Sequence, residues 1–160
     1  MEISADYISI DGQGQWWYEG NKIVHPKVLS LFKSSLMIDQ PTGELFIDYK
    51  GKRAPVKVEK TPFFIQDIVV KRGADGELLE VELELDDGTS EVLDPESLRL
   101  DDSGVLEVKV KQGQFAARCL QSAHFRLAEL LSEDQDGGFS LVIGGKSYIL
   151  TKKIGDYQGK

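Results

Sequence analysis

The chain has 160 residues, with 41% hydrophobic and 29% charged, so it is long and apolar enough to bury a core and is not composed like a disordered segment. Nineteen Lys and Arg against 27 Asp and Glu leave a net charge of -8, which excludes a surface coated for nucleic acid. One Cys excludes an internal disulfide, and one Cys with two His is too poor a donor set for a usual structural zinc site.

The start of the chain, Met1 to Asp6, lacks the basic and apolar regions of a signal peptide, and no apolar run approaches the ~20 residues that span a bilayer. The expectation is a soluble, cytoplasmic protein with no membrane span.

Turn signals recur along the chain, from Asp11-Gly12 and Gly20-Asn21 through Lys50-Gly51, Asp75-Gly76 and Asp87-Gly88 to Gly144-Gly145. Intervals of about 8–12 residues mark antiparallel strands and hairpins. In the first half, Trp16-Trp17-Tyr18 puts three aromatics in one short strand, with Trp17 on the face opposite its two neighbours. One face is core, and the other is free to form an aromatic wall.

His25-Pro26 opens a helix with the stripe Val28, Leu29, Phe32 and Leu36. Leu45, Ile47 and Tyr49 then share one face with Asp48 on the other, and Val56 and Val58 alternate with Lys57 and Glu59. From Lys50 to Lys60 five basic residues meet one acid, an anion-attracting patch around Arg53 and Lys57 or simply a solvated stretch. Phe63-Phe64 repeats the two-faced aromatic pattern.

In the second half, Val81, Leu83 and Leu85 alternate with Glu80, Glu82 and Glu84, and Leu106, Val108 and Val110 alternate with Glu107, Lys109 and Lys111. From Ala74 to Glu107 thirteen acids accompany one Arg. That reads as a solvated sheet face, neutralised in part if Lys109 or Lys111 lies opposite a Glu. A second, longer helix is predicted from about Gln114 to Leu131 on the stripe Ala116, Cys119, Leu120, Ala123, Leu127, Leu130 and Leu131. Arg118 and Phe125, seven apart, would share its other side and pack against another half of the chain or a ligand. A hairpin turning at Gly144-Gly145 follows, then a fraying tail from Gly155.

The predicted class is α+β, mainly antiparallel β, with two β-rich halves that each carry one helix. The first half spans 1–72, the second 73–154 and the tail 155–160, with the seam at Lys71 to Gly76.

Motif tests exclude most chemistry. Gly145-Lys146-Ser147 resembles the end of a phosphate loop, but Ser140 stands where that motif needs Gly. Gly12-Gln13-Gly14 lacks the third glycine of a dinucleotide site. Asp134-Gln135-Asp136-Gly137 is an incomplete calcium loop. His25 and His124 have no sequence-near triad partners. No catalytic residue, metal or cofactor is predicted. An enzyme would need Glu59 or His124 as its general base.

Several segments together resemble the bacterial domain of unknown function 1285. They are Ile8-Ser9-Ile10-Asp11-Gly12, Trp17-Tyr18-Glu19-Gly20-Asn21-Lys22-Ile23, Val28-Leu29-Ser30-Leu31-Phe32, Val58-Glu59-Lys60-Thr61-Pro62-Phe63-Phe64 and Gly113-Gln114-Phe115-Ala116-Ala117-Arg118. Their order carries the likeness, which runs from about Tyr7 to Leu150. This chain has Lys60 where the family favours an acid, and Lys109 and Lys111 where it favours an Arg.

The resemblance implies a bipartite protein whose C-terminal half is pleckstrin-homology-like, a curved sheet closed by one helix. It further implies a non-enzymatic module of signal transduction that binds a small anionic or nucleotide-like ligand at the junction of its halves. The residues carried over to that site are Trp17, Glu59, Pro62, Phe63 and Arg118. Arg118 would offer a bidentate fork to a phosphate or carboxylate, or pair with Glu59. Trp17 or Phe63 would stack on a base or pack the interface. The competing reading is a protein-interaction scaffold or homo-oligomeric adaptor with no small ligand, docking a basic partner on the acidic face.

Overall fold

A computed structural model describes residues 7–152, and the tail expected from Gly155 lies outside them. The chain divides into two compact units, Met1–Pro62 and Phe63–Lys160. The seam expected at Lys71 to Gly76 is therefore a turn inside the second unit.

The first unit runs β1 (Ile8–Ile10), β2 (Trp16–Tyr18), β3 (Asn21–Lys22), α1 (Pro26–Ser34), β4 (Leu36–Ile38), β5 (Leu45–Tyr49) and β6 (Lys52–Val58). Among the described residues these strands form one sheet in the order β3-β2-β1-β6-β5-β4. Neighbours are antiparallel except β1 and β6, which run parallel.

Period-two alternation gives this sheet two different faces. Ile8, Ile10, Trp16, Ile47 and Val56 are buried on one. Phe32 of α1 is buried with them, its ring centroid 6.3 Å from that of Trp16. Ser9, Trp17 and Lys57 stand on the other. The helix starts where the sequence places it. Pro26 occupies its first turn, and His25 Nδ1 accepts the Lys27 N–H at 3.2 Å as the cap.

The second unit opens with β7 (Phe63–Arg72), β8 (Leu78–Leu85) and β9 (Ser90–Val92), then a 3-10 turn at Pro95–Ser97 and β10 (Arg99–Leu100). It continues through β11 (Leu106–Val110), β12 (Phe115–Cys119), α2 (Gln121–Ala128), β13 (Leu131–Glu133), β14 (Phe139–Ile143), β15 (Lys146–Ile149) and β16 (Thr151–Lys152). A seven-stranded sheet has the order β16-β10-β11-β12-β7-β8-β9, and β13-β14-β15 form a small one. Pairing is antiparallel except at β7/β12 and β10/β16. Both units are thus β-rich with one α-helix each, as the alternation predicts. The Gly144-Gly145 hairpin also stands where expected, both residues having positive φ (60° and 82°), the backbone a tight hairpin needs.

Two further expectations are corrected. The helix predicted from Gln114 to Leu131 is a strand followed by a shorter helix, so Arg118 lies on β12 and shares no helix face with Phe125. Lys111 and Gln112 have positive φ (57° and 62°) and turn the chain back into β12. There Phe115, Ala117 and Cys119 are buried in alternation. The second correction concerns the acidic strand. Lys109 and Lys111 sit on or beside β11, which does not pair with β8: Lys111 meets Asp87, in the turn after β8, at 2.6 Å rather than a Glu of β8, and Glu80 is met by Lys71 of β7 at 3.3 Å.

Candidate functional site

In the first unit the structure draws two of the expected residues to one loop. The turn after β1 is organised by Asp11. Its Oδ1 accepts the Gln13 and Gln15 backbone N–H groups at 2.9 Å each, and its Oδ2 accepts Trp17 Nε1–H at 3.0 Å. Burial pushes this carboxyl up. The Trp17 indole, the two backbone donors and Lys22 outweigh that and hold it below the ordinary carboxylate range.

Glu59 reaches the same loop from the end of β6. Its backbone N–H donates to Ile10 O at 2.9 Å, and its Oε1 accepts Gly12 N–H at 2.9 Å. Gly12 suits this contact because a Cβ there would stand 3.2 Å from Glu59 Oε2. The segments Ile8–Gly12, Trp17 and Val58-Glu59, separate in sequence, are one contact network.

Register completes the site. Ser9 is opposite Trp17 on one side and opposite Lys57 on the other. Aromatic ring, hydroxyl and ammonium form a row about 10 Å long across three strands. A groove of about 700 Å³ crosses this row at Ser9 and Lys57 and follows β1 and β6, lined by Tyr7, Ser9, Asp11, Lys57 and Glu59 among others. A neighbouring hollow of about 330 Å³ shares Tyr7, Ser9 and Asp11 and adds Trp17 and Glu19. Small-ligand sites span about 300–1,000 Å³. Sequence reading missed Tyr7, Ser9 and Asp11. The signal for Asp11 was present in Asp11-Gly12, but it reads equally well as a bare turn.

Phe63 and Arg118 belong to the second unit. Phe63 is 2% exposed, meets Phe115 edge-on at 5.3 Å and lies 5.1 Å from Lys111 Nζ. Phe64 is also fully buried. Pro62, the last residue of the first unit, is buried as well.

Arg118 Nε donates to Asp101 Oδ2 at 2.8 Å, with both side chains largely buried. Asp101 Oδ1 also takes the Ser103 and Val105 backbone N–H groups. Burial raises Asp101, but Val105, Arg118 and Ser103 together hold it below the usual range. Glu107, directly opposite Arg118 on β11, is claimed by Arg99 at 2.7 Å. Arg118 is thus tied into a buried charge cluster with Asp101.

The remaining reactive side chains have places in the fold. Cys119 is buried, and burial pushes its thiol up to about 12 despite nearby Arg118. His124 Nδ1 accepts the Leu106 N–H at 3.3 Å. Among the described residues no group of three His, Cys, Asp or Glu is placed to hold a metal, and no helix is long and apolar enough to cross a membrane.

No family model matches the chain, and no curated protein matches it. Two solved structures do. A DUF1285 family protein from Silicibacter pomeroyi DSS-3 aligns at a TM-score of 0.72 and 23% identity, over 89% of this chain and 78% of its own. A DUF1285 family protein from Shewanella baltica OS155 aligns at a TM-score of 0.59 and 21% identity, over 78% of this chain and 91% of its own. These are the family that the sequence motifs resemble, and the chain has the DUF1285 fold.

Proposed function

We propose that the chain is a non-enzymatic binding module for a small nucleotide-like anion, seated on the open sheet face of the first unit. The row Trp17–Ser9–Lys57, with Asp11 and Glu59 two residues farther along from Ser9 and Lys57, carries this reading. Each part of a nucleotide has a counterpart there. An indole offers a stacking face, carboxylates accept from sugar hydroxyls, and an ammonium meets a phosphate. The non-catalytic reading is supported by His25, His124 and Cys119, which are engaged in capping, a backbone contact and the core. A role in signalling rests on the family resemblance.

Thermal shift with AMP, ATP and inorganic phosphate tests the proposal. A ligand at about 100 times its Kd stabilises by about 2.7 kcal/mol, which in a chain of this size raises Tm by several degrees. AMP is expected to raise Tm, and Trp17→Ala and Glu59→Gln to abolish the rise. Arg118→Lys and Phe63→Leu, run in parallel, read whether those two residues contribute as the resemblance implies. No stabilisation by any of the three compounds at millimolar concentration refutes the proposal.

A second reading, a protein-interaction scaffold, has one observation in its favour. Val142 and Ile149 are 52% and 76% exposed on one face of the small sheet. Light scattering decides it: a concentration-independent monomer, unchanged by Ile149→Lys, removes that reading.

A further inference from the structure

A second cavity lies on the other face of the first unit's sheet, between it and α1. It measures about 160 Å³. Its walls are Ile8, Tyr18, Phe32, Ile47 and Ala54, with Lys52 and Arg53 at the basic end. Register explains the grouping. Ile8 is opposite Tyr18, and Ile47 opposite Ala54, so these side chains share the face that Phe32 covers. Lys52, two residues before Ala54, falls on that face too.

The two cations differ. Arg53 stacks on Phe46 at 3.7 Å and lies 3.8 Å from Asp39. Lys52 forms no ion pair with any described residue. An apolar hole of about 150 Å³ accepts one benzene ring. A hole of that size with an unengaged ammonium at its rim matches a ring or short chain carrying one negative charge.

We infer that this cavity binds a small apolar carboxylate, one six-membered ring or about six carbons long, with its carboxylate at Lys52. The site is separate from the groove around Asp11 and stands or falls independently of it.

The test is an NMR titration of the full chain with benzoate and hexanoate, and with benzamide and hexanamide as uncharged controls. Saturable shifts are expected at Ile8, Ile47 and Ala54, stronger for each acid than for its amide. Lys52→Glu, a surface change that leaves the core intact, is expected to weaken the acids roughly fivefold and to spare the amides. Ala54→Leu, which fills the hole, is expected to abolish the shifts of all four. The inference is overturned if neither acid saturates by about 20 mM. Equal binding of acids and amides, or acid binding untouched by Lys52→Glu, also overturns it.

Discussion

Arg118 shows how one side chain can look like a ligand fork and also serve as an internal tie. It holds Asp101, and Asp101 in turn holds the turn before β11 through Ser103 and Val105. Replacing it by Met leaves a buried carboxylate without its cation. Arg118→Met is expected to cost about 3 kcal/mol in urea unfolding, with Arg118→Lys costing less. A loss within error of zero would contradict the tie.

Acid stability follows from the same chemistry. Asp11, Asp87 and Asp101 are each held below the ordinary value of 3.8 in the folded chain. Their stabilisation is complete above the unfolded pKa and is lost as pH falls through the lower folded values. Melting temperature is therefore expected to be flat from neutral pH to about pH 5 and to fall below about pH 4. Asp101→Asn, less stable at pH 7, should show a shallower fall. At this scale the sequence marks Trp17 and Glu59 through motif likeness. It does not disclose that Asp11 and Gly12 join them, because that contact needs β1 and β6 side by side.

Among the elements, β12 carries the main lesson. The segment from Gln114 to Leu131 supports two periods at once, since its small and apolar residues recur at helical spacing while Phe115, Ala117 and Cys119 alternate. Pairing decides between them. β12 lies antiparallel to β11 and parallel to β7, a partner about fifty residues earlier that no local pattern reveals. Hairpin elements were legible because their turns are local, as at Gly144-Gly145. Ala116, opposite Lys109, separates the two assignments experimentally. Ala116→Val is expected to leave unfolding free energy unchanged or to raise it by up to about 0.5 kcal/mol. A helix there would lose about that amount.

In the whole molecule, two β-rich halves with one helix each follow from alternation and two breaks in it. The boundary does not, because Lys71 to Gly76 has the composition of a linker and of a hairpin turn alike, and here it turns β7 into β8. The net charge of -8 acts at this scale. Glu80, Glu82 and Glu84 share one face of β8 with Asp67 of β7, and Lys71 and Arg126 neutralise only Glu80 and Asp67 among them. Buried pairs such as Arg99–Glu107 are screened little by salt, whereas exposed like charges are screened strongly. Raising NaCl from about 0.05 to 0.5 M is therefore expected to raise Tm, and a fall would show that surface pairs outweigh repulsion.

The binding role is tested most directly by following the Trp17 indole N–H by NMR while AMP is added. A saturable shift of that signal is expected together with the amides of Ser9, Gly12 and Glu59, and its loss in Lys57→Glu. An indole resonance that stays still at millimolar AMP, with those amides equally unmoved, would contradict it.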